Sequence, residues 1–308
     1  MLTKTNIAGI NFDSYVMNAS GINDSTLEEL EVIASSSSSA IVMKSCTLEP
    51  RQGNSGPRYV RLENGSIQCM GLPNLGYKKY IEFAKKLKEK YQKPVIASVA
   101  GLTKKDYPEL VNAFQDTEVD MIEINVSCPN LADKKVFAYQ SWEVVEILQM
   151  TKDLRKKPLG LKLPPYIHGE QQGWITRILE YGISFVTCIN SLPNTLVIDN
   201  EKETPILRPK KGLGALCGSY IKPIALANVY NFFKDLEGGI SIIGVGGIET
   251  GKDAFEFLLC GADAVQVGTC FEKQGPDCFR RINKELEEIL ERKGYNSIEQ
   301  AKGKLKFL

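Results

Sequence analysis

The residues best suited to chemistry are one cysteine and two lysines, each set in or at the end of a short apolar run. Cys128 lies between Ser127 and Pro129, where a partly exposed thiol can act as a base in proton transfer. Lys44 and Lys162 stand among apolar neighbours, and a buried lysine is costly unless it meets an anion or another polar partner. These positions predict a thiol base beside an anionic or polar ligand. The alternatives are a thiol that only packs in the core and lysines that extend to water.

Other polar residues follow the apolar runs in the same way. The single histidine, His168, falls in an expected loop after Pro164-Pro165, and a lone loop histidine is more often incidental than catalytic. In a barrel of parallel strands the residues at the carboxyl ends of the strands build the active site. The candidates at such ends are Asn18, Ala19, Ser20, Lys44, Ser45, Asn125, Asn130, Asn190 and Ser191.

Eight short apolar runs position these residues. Nearly continuous apolar sequence is typical of parallel strands that are covered on both faces. A segment of helical periodicity follows nearly every run, so the pattern predicts repeated βαβ units. The runs are Tyr15–Ser20, Ala40–Thr47, Pro94–Gly101, Met121–Cys128, Leu159–Pro164, Phe185–Ser191, Ser241–Gly246 and Ala264–Thr269.

The predicted fold is therefore an α/β protein, a (β/α)8 TIM barrel with a short N-terminal β-hairpin over Thr5–Phe12. An open doubly wound sheet is the competing solution. Among the helices, Pro276–Lys293 is expected to end at Gly294, and Tyr77–Tyr91 to expose its lysines. A further helix is expected to begin at Ser25, with Glu28 completing a capping box.

Length and composition limit the classes of function. The 308 residues suit a single barrel domain spanning 1–308, and the formal net charge of +1 provides no broad field for nucleic acid. No run of about 20 apolar residues or signal-peptide core is present, so we expect a cytoplasmic protein without a membrane partner. The eight cysteines are scattered without a Cys-x-x-Cys pair, which argues against a metal site. The expected partner is a small molecule.

Glycines near the C-terminus indicate a phosphorylated ligand. Gly246-Gly247 follows the seventh apolar run and Gly268-Thr269 the eighth. Glycine allows backbone N–H groups to approach phosphate oxygens closely. A Rossmann site is excluded, since no G-x-G-x-x-G follows the first strand.

Several motifs together resemble the class 1A dihydroorotate dehydrogenases. The resemblance covers essentially the whole chain. The motifs that carry it are Asn125-Val126-Ser127-Cys128-Pro129-Asn130, Met70-Gly71-Leu72-Pro73-Asn74, Leu161-Lys162-Leu163-Pro164-Pro165-Tyr166, Tyr220-Ile221-Lys222-Pro223 and Gly246-Gly247-Ile248-Glu249-Thr250-Gly251.

The resemblance implies a soluble homodimer that oxidises dihydroorotate to orotate in pyrimidine biosynthesis, with FMN as hydride acceptor and fumarate as electron acceptor. By the same resemblance, Cys128 removes the C5 proton while a hydride leaves C6 for flavin N5. Lys162 is implied to lie near flavin N1 and O2, where it stabilises the charge that develops on reduction.

The resemblance also implies two sets of binding residues and no metal. The cofactor set is Ala19, Ser20, Lys44, Ser45, Asn125, Lys162, Ile189, Gly218, Gly246, Gly247, Gly268 and Thr269. The substrate set is Lys44, Gln68, Met70, Gly71, Leu72, Asn125, Asn130, Asn190 and Ser191.

Three segments depart from the class 1A pattern. Gln68 stands where the class usually has asparagine, and the segments Leu131–Val136 and Leu192–Thr195 differ from the usual loops. A displaced amide can leave a buried polar group unpaired, at a cost of about 1 to 3 kcal/mol. Two alternatives stay open: a family member that acts on another dihydropyrimidine or related cyclic acid, and a flavin-binding protein without catalysis.

Overall fold

A computed structural model describes residues 2–128, 136–167 and 175–308 of the chain. The strands are β1 (Thr5–Ile7), β2 (Ile10–Phe12), β3 (Val16–Asn18), β4 (Ile41–Val42), β5 (Tyr59–Leu62), β6 (Gly65–Gln68), β7 (Val95–Val99), β8 (Met121–Asn125), β9 (Leu159–Leu163), β10 (Phe185–Cys188), β11 (Leu192–Thr195), β12 (Ile198–Asp199), β13 (Thr204–Pro205), β14 (Gly214–Gly218), β15 (Ser241–Val245) and β16 (Ala264–Val267).

Eight parallel strands form the central sheet, and they coincide with the eight predicted apolar runs. Their order is β3-β16-β15-β10-β9-β8-β7-β4, so strands that follow one another along the chain are neighbours around the ring. Every position of β7, β8 and β9 is buried, as the continuous apolar sequence requires. The TIM barrel prediction is confirmed, and so is the hairpin, which β1 and β2 form.

The seam between β3 and β4 is closed partly by a side chain. Asn18 Nδ2 donates to the Val42 carbonyl at 2.7 Å, and Val42 N donates to Asn18 Oδ1 at 2.9 Å. The Ser39 amide also donates to the Val16 carbonyl at 2.9 Å. The Asn18 amide thus replaces a peptide group in the ladder and satisfies two backbone groups that would otherwise be buried without a partner.

Replacing Asn18 with alanine should therefore destabilise the ring. We expect the free energy of unfolding to fall by about 1 to 3 kcal/mol for each of the two Val42 groups left unpaired. Equilibrium unfolding in guanidinium chloride measures the loss. A loss below about 0.5 kcal/mol, the usual range for a surface substitution, would contradict this account of the seam.

The helices in the described residues are α1 (Leu27–Ser35), α2 (Tyr77–Lys90), α3 (Asp106–Gln115), α4 (Ser141–Thr151), α5 (Lys222–Asp235), α6 (Gly251–Leu259), α7 (Thr269–Gln274), α8 (Asp277–Arg292) and α9 (Ile298–Ala301). Short 3₁₀ turns cover Phe137–Tyr139, Lys152–Leu154, Ile175–Tyr181, Pro209–Gly212 and Ser219–Ile221. None of these helices is long and apolar enough to cross a membrane, within the part of the chain that the structure describes.

The start of α1 lies one residue beyond the predicted cap. The N-cap is Thr26 rather than Ser25, and its hydroxyl accepts from the Glu29 amide at 3.3 Å while Glu29 Oε2 accepts from the Thr26 amide at 3.1 Å. Both Ser25–Glu28 and Thr26–Glu29 fit the capping-box spacing. The residues of α1 that are buried are Leu30, Ile33 and Ala34.

A second sheet covers part of the barrel mouth and was not predicted. It has four strands in the order β11-β14-β6-β5, paired antiparallel. Residues 59–62 and 192–195 are only partly buried or exposed. Strands in such positions need no continuous apolar sequence, and for this reason they lack the pattern that predicted the barrel strands. This sheet places Gln68 and Gly218, at the ends of β6 and β14, beside the barrel mouth.

Candidate active site

A cavity of about 430 Å³ opens at the carboxyl ends of the barrel strands, beneath the second sheet. The predicted residues that line it are Ala19, Ser20, Lys44, Ser45, Gln68, Met70, Leu72, Asn125, Cys128, Lys162, Ile189, Asn190, Ser191, Gly218, Gly246, Gly247, Gly268 and Thr269. Gly71 lies between two lining residues but is not itself part of the wall. Asn130, His168 and residues 131–135 lie outside the described residues. The structure thus brings the thiol and both lysines to one cavity.

Cys128 is half-buried at the point where the chain leaves β8. It packs against the small apolar cluster of Leu72 and Ala100, as Leu102 also does. The neighbouring Tyr107 hydroxyl donates to the Asn125 carbonyl at 3.1 Å, which anchors the strand end that carries the thiol. A thiol that packs against apolar residues and lines the cavity can take a proton from a bound molecule when it is ionised.

A row of hydrogen bonds links the first strand ends of the mouth. The Ser45 amide donates to Ser20 Oγ at 2.9 Å, and Asn125 Nδ2 donates to Ser45 Oγ at 3.0 Å. The Ser127 amide then donates to Asn125 Oδ1 at 3.1 Å. These bonds fix the polar groups of β3, β4 and β8 relative to one another, so the wall is preorganised for a ligand.

The row continues to the second sheet. Asn190 Nδ2 donates to Ser127 Oγ at 2.9 Å, and the Ser191 amide donates to Asn190 Oδ1 at 2.8 Å. Gln68 Nε2 donates to Ser191 Oγ at 3.2 Å, while Gln68 Oε1 accepts from the Met70 amide at 3.1 Å. Gln68 therefore joins the second sheet to the barrel.

Glu123 is a site residue that the sequence reading missed. Its side chain is 0% exposed inside the barrel, and Lys162, 4% exposed, places Nζ at 3.9 Å from Glu123 Oε1. Ser98 Oγ donates to Oε1 at 3.2 Å, and Gln266 Nε2 donates to Oε2 at 3.4 Å. A glutamate in the middle of an apolar strand was the signal for it, because it predicts a buried cation on a neighbouring strand.

Asp24 is a second residue that the sequence reading missed. Its side chain is 0% exposed in the loop between β3 and α1. Burial raises the pKa of this carboxyl group from 3.8 to about 6, and the nearby Lys44 ammonium opposes the rise. An aspartate in a loop resembles an ordinary turn residue, so its burial had no signal in the sequence.

The glycines at the far end of the cavity differ in whether the protein leaves room for a side chain at their positions. Gly247 has φ of +74°, and a Cβ there would lie 2.9 Å from the Gly218 carbonyl oxygen, so only glycine fits. Gly268 has an ordinary φ of −111°, and a Cβ there would touch only Ala19 and Ile22, each at 3.6 Å. Packing within the protein therefore does not explain the missing side chain at Gly268.

Comparison with known proteins identifies the family. The family model described as dihydroorotate dehydrogenase matches residues 1–290. The chain belongs to the dihydroorotate dehydrogenase family. Within it, the chain is 45% identical over 311 residues to "Dihydroorotate dehydrogenase A (fumarate)" of Lactococcus lactis subsp. lactis, with 100% of each chain covered. A "Putative dihydroorotate dehydrogenase A (fumarate)" of Streptococcus agalactiae is 43% identical, with 99% of each covered. The predicted resemblance to class 1A is confirmed.

Solved structures of the same family share the fold. The ligand-free enzyme from Eimeria tenella superposes with a TM-score of 0.83 at 24% identity, covering 98% of this chain and 91% of that one. The complex of the Eimeria tenella enzyme with ferulenol gives a TM-score of 0.82 at 22% identity, covering 98% and 88%. At these identities the likeness concerns the barrel architecture.

Proposed function

We propose that this chain is an FMN-dependent dihydroorotate dehydrogenase that oxidises dihydroorotate to orotate in pyrimidine biosynthesis and passes the electrons to fumarate. The observation that carries the proposal is the convergence of the strand-end thiol of Cys128 and two buried lysines, Lys44 and Lys162, on one cavity. The printed names of the relatives, which include fumarate, agree with it. Purified protein should reduce fumarate with dihydroorotate as donor; no turnover with this pair would contradict the proposal.

The cavity suits a flat ring system that ends in a phosphate. At the phosphate end, Gly268 lines the cavity, and a Cβ there would meet only Ala19 and Ile22 at ordinary contact distance. The carboxylates there are matched by cations: Glu272 pairs with Arg61, and Glu249 Oε1 lies 3.6 Å from Lys273 Nζ. The residues present therefore fit FMN, with Gly247, Gly268 and Thr269 as the proposed phosphate holders.

The rest of the proposed cofactor set lies deeper in the cavity. Lys162 supplies a positive charge that Glu123 holds inside the barrel, and the hydrogen-bonded row from Ser20 to Asn125 supplies fixed polar groups. When bound, FMN would accept the hydride that leaves the substrate. The chain's own contribution is to orient the substrate and to exclude water from the reacting face.

Cys128 and Lys44 supply the remaining steps of the proposed mechanism. The Cys128 thiolate takes a proton from a ring carbon of the substrate, because Cys128 is the lining thiol that follows a barrel strand. Cys217 also lines the cavity, but it lies in the second sheet and burial raises its pKa to about 11. Lys44, 8% exposed, binds the carboxylate of the substrate, and Asn125, Asn190 and Ser191 orient its ring. Asn130 is proposed as a further ligand by resemblance alone.

A second candidate substrate follows from Gln68. Its amide is engaged by Ser191 and by the Met70 backbone, so it is less available to a ring carbonyl than a side chain that points freely into the cavity. This favours, as the alternative, a related dihydropyrimidine. Reduction of the bound flavin by dihydrouracil but not by dihydroorotate would select it.

The size of residue 268 should control cofactor binding. Gly268→Val is expected to fold, since a Cβ there would make only ordinary contacts with Ala19 and Ile22. Because residue 268 lines the cavity, we expect the larger side chain to weaken FMN binding at least about 10-fold by occupying space that the ligand needs. Titration of the apo-protein with FMN, followed by flavin fluorescence, measures the Kd. The thermal unfolding of the apo-variant is the control: an unchanged Kd in a folded variant would contradict the assignment of this end of the cavity.

Three further features are proposed on the resemblance to class 1A. The chain forms a single FMN-binding domain over residues 1–308, it acts as a homodimer, and it works in the cytoplasm without nucleic-acid or membrane partners. Light scattering of the purified protein tests the homodimer directly.

A further inference from the structure

Asp24 lies directly behind the cavity wall. The loop that carries it contributes Gly21, Ile22, Asn23 and Ser25 to the lining. Asp24 Oδ2 accepts from the Gly21 amide at 2.6 Å, and the Asp24 carbonyl accepts from the Lys44 amide at 3.3 Å. These bonds hold a buried carboxyl group next to the strand end that carries Lys44.

Lys44 and Asp24 both lie next to Gly21. Lys44 Nζ lies 3.5 Å from the position that a Cβ on Gly21 would take, and the amide of the same glycine binds the carboxylate. The ammonium, the carboxyl group and the cavity therefore meet at Gly21. A charge on Asp24 changes the electrostatic potential at the ammonium that faces the ligand.

The other oxygen of the carboxyl group is unsatisfied. Within the described residues, Asp24 Oδ1 is buried without a hydrogen-bond partner. The charged groups that act on Asp24 are Lys44 from the end of β4, Lys162 from β9 and Glu29 from α1. Burial is the largest influence and raises the pKa to about 6; the two lysines oppose the rise and Glu29 adds to it.

We propose that Asp24 is a positioning residue that competes with the carboxylate of the substrate for the charge of Lys44, so that binding of the anionic substrate is coupled to proton uptake by Asp24. The inference rests on the proposed function. Ionised Asp24 offsets the charge of Lys44, and protonated Asp24 leaves it to the ligand. By linkage, an anion bound at Lys44 must also favour the protonated form of Asp24.

The direction of the pH dependence follows from this competition. As the pH falls from 7.5 to 5.5, Asp24 gains its proton, and the affinity for orotate should rise several-fold in the FMN-loaded enzyme. The carboxylate of orotate stays ionised over this range, because unperturbed carboxyl groups titrate near pH 4. Binding is measured by the change in flavin absorbance on addition of orotate.

Asp24→Asn is the test variant. The side-chain oxygen of asparagine can still accept from the Gly21 amide, and no charge is buried. We expect this variant to bind orotate with the affinity that the wild-type enzyme reaches at low pH. The change of orotate affinity near pH 6 should be absent in this variant. A change of orotate affinity with pH that is equally large in the wild-type enzyme and in Asp24→Asn would overturn the inference.

Glu29→Gln is the matched control, because it removes another carboxylate that lines the cavity and acts on Asp24, while glutamine still suits a capping box. The pH dependence of orotate affinity should persist in this variant. Its loss would mean that Glu29 takes up the proton on orotate binding, and would overturn the inference.

Calorimetry provides a test that needs no variant. Orotate binding at pH 6.5 in two buffers of different ionisation enthalpy should show uptake of a fraction of a proton by the wild-type enzyme, and absence of uptake would overturn the inference. The two proposals fail in different ways. Absence of orotate binding at every pH contradicts the proposed function, whereas pH-independent binding contradicts only the role of Asp24.

Discussion

Cys128→Ala should slow reduction of the bound flavin by dihydroorotate about 10²- to 10⁴-fold, the usual cost of removing a positioned base. The thiol follows the carboxyl end of β8 and packs against Leu72 and Ala100, and alanine fills much of its volume. Orotate and FMN should therefore bind as before. Anaerobic stopped-flow absorbance of the flavin measures the rate of the reductive step apart from that of the electron acceptor.

Cys260→Ala is the matched control for this experiment. Cys260 is a buried thiol that follows α6 and does not line the cavity, so its removal should change the reduction rate less than about twofold. An unchanged rate in Cys128→Ala would remove the thiol from the mechanism. An equal slowing in both variants would point to a general loss of structure.

Glu123→Ala should cost the apo-protein about 3 to 5 kcal/mol of unfolding free energy. The substitution leaves the Lys162 ammonium buried without its carboxylate, and breaking a buried pair on one side is strongly destabilising. Hydrogen bonds from Ser98 and Gln266 are lost as well. Equilibrium unfolding of the apo-protein in guanidinium chloride measures the change without interference from bound ligand.

A double variant separates the charge effect from the loss of volume. Glu123→Leu combined with Lys162→Met replaces both charges by apolar groups of similar size, which is often neutral or stabilising for a buried pair. We expect it to recover most of the stability and to bind FMN more weakly, since the cation is gone. If the costs of Glu123→Leu and Lys162→Met, each measured alone, add up to the cost of the double variant, the two groups act independently and the account of the pair is contradicted.

The barrel was predictable because its strands are buried on both faces. Each of the eight runs is apolar at nearly every position, and this pattern is specific to parallel strands under helices. The second sheet was not predictable in this way. The pairing of β6 with β14 joins residues 65–68 to residues 215–218, and neither segment has an apolar face long enough to indicate a partner so distant in sequence.

The site was predictable where polar residues end a strand and less so inside the barrel. Cys128, Lys44 and Lys162 interrupt or end apolar runs, and the structure brings them to one cavity. Glu123 lies in the middle of β8, two residues before Asn125 and therefore on the same face of the strand. The register of β8 against β9 sets Asn125 beside Lys162, and only this register shows that the glutamate and the lysine share the barrel interior. The partial closure of the ring by Asn18 also depends on tertiary geometry rather than on a local pattern.

The most direct test of the account is an anaerobic titration of the FMN-loaded protein with dihydroorotate, followed by flavin absorbance. Stoichiometric bleaching of the flavin, with orotate formed in equal amount, is the result expected if Cys128, Lys44 and Lys162 hold one substrate against the cofactor. A flavin that stays oxidised in excess dihydroorotate would contradict that arrangement.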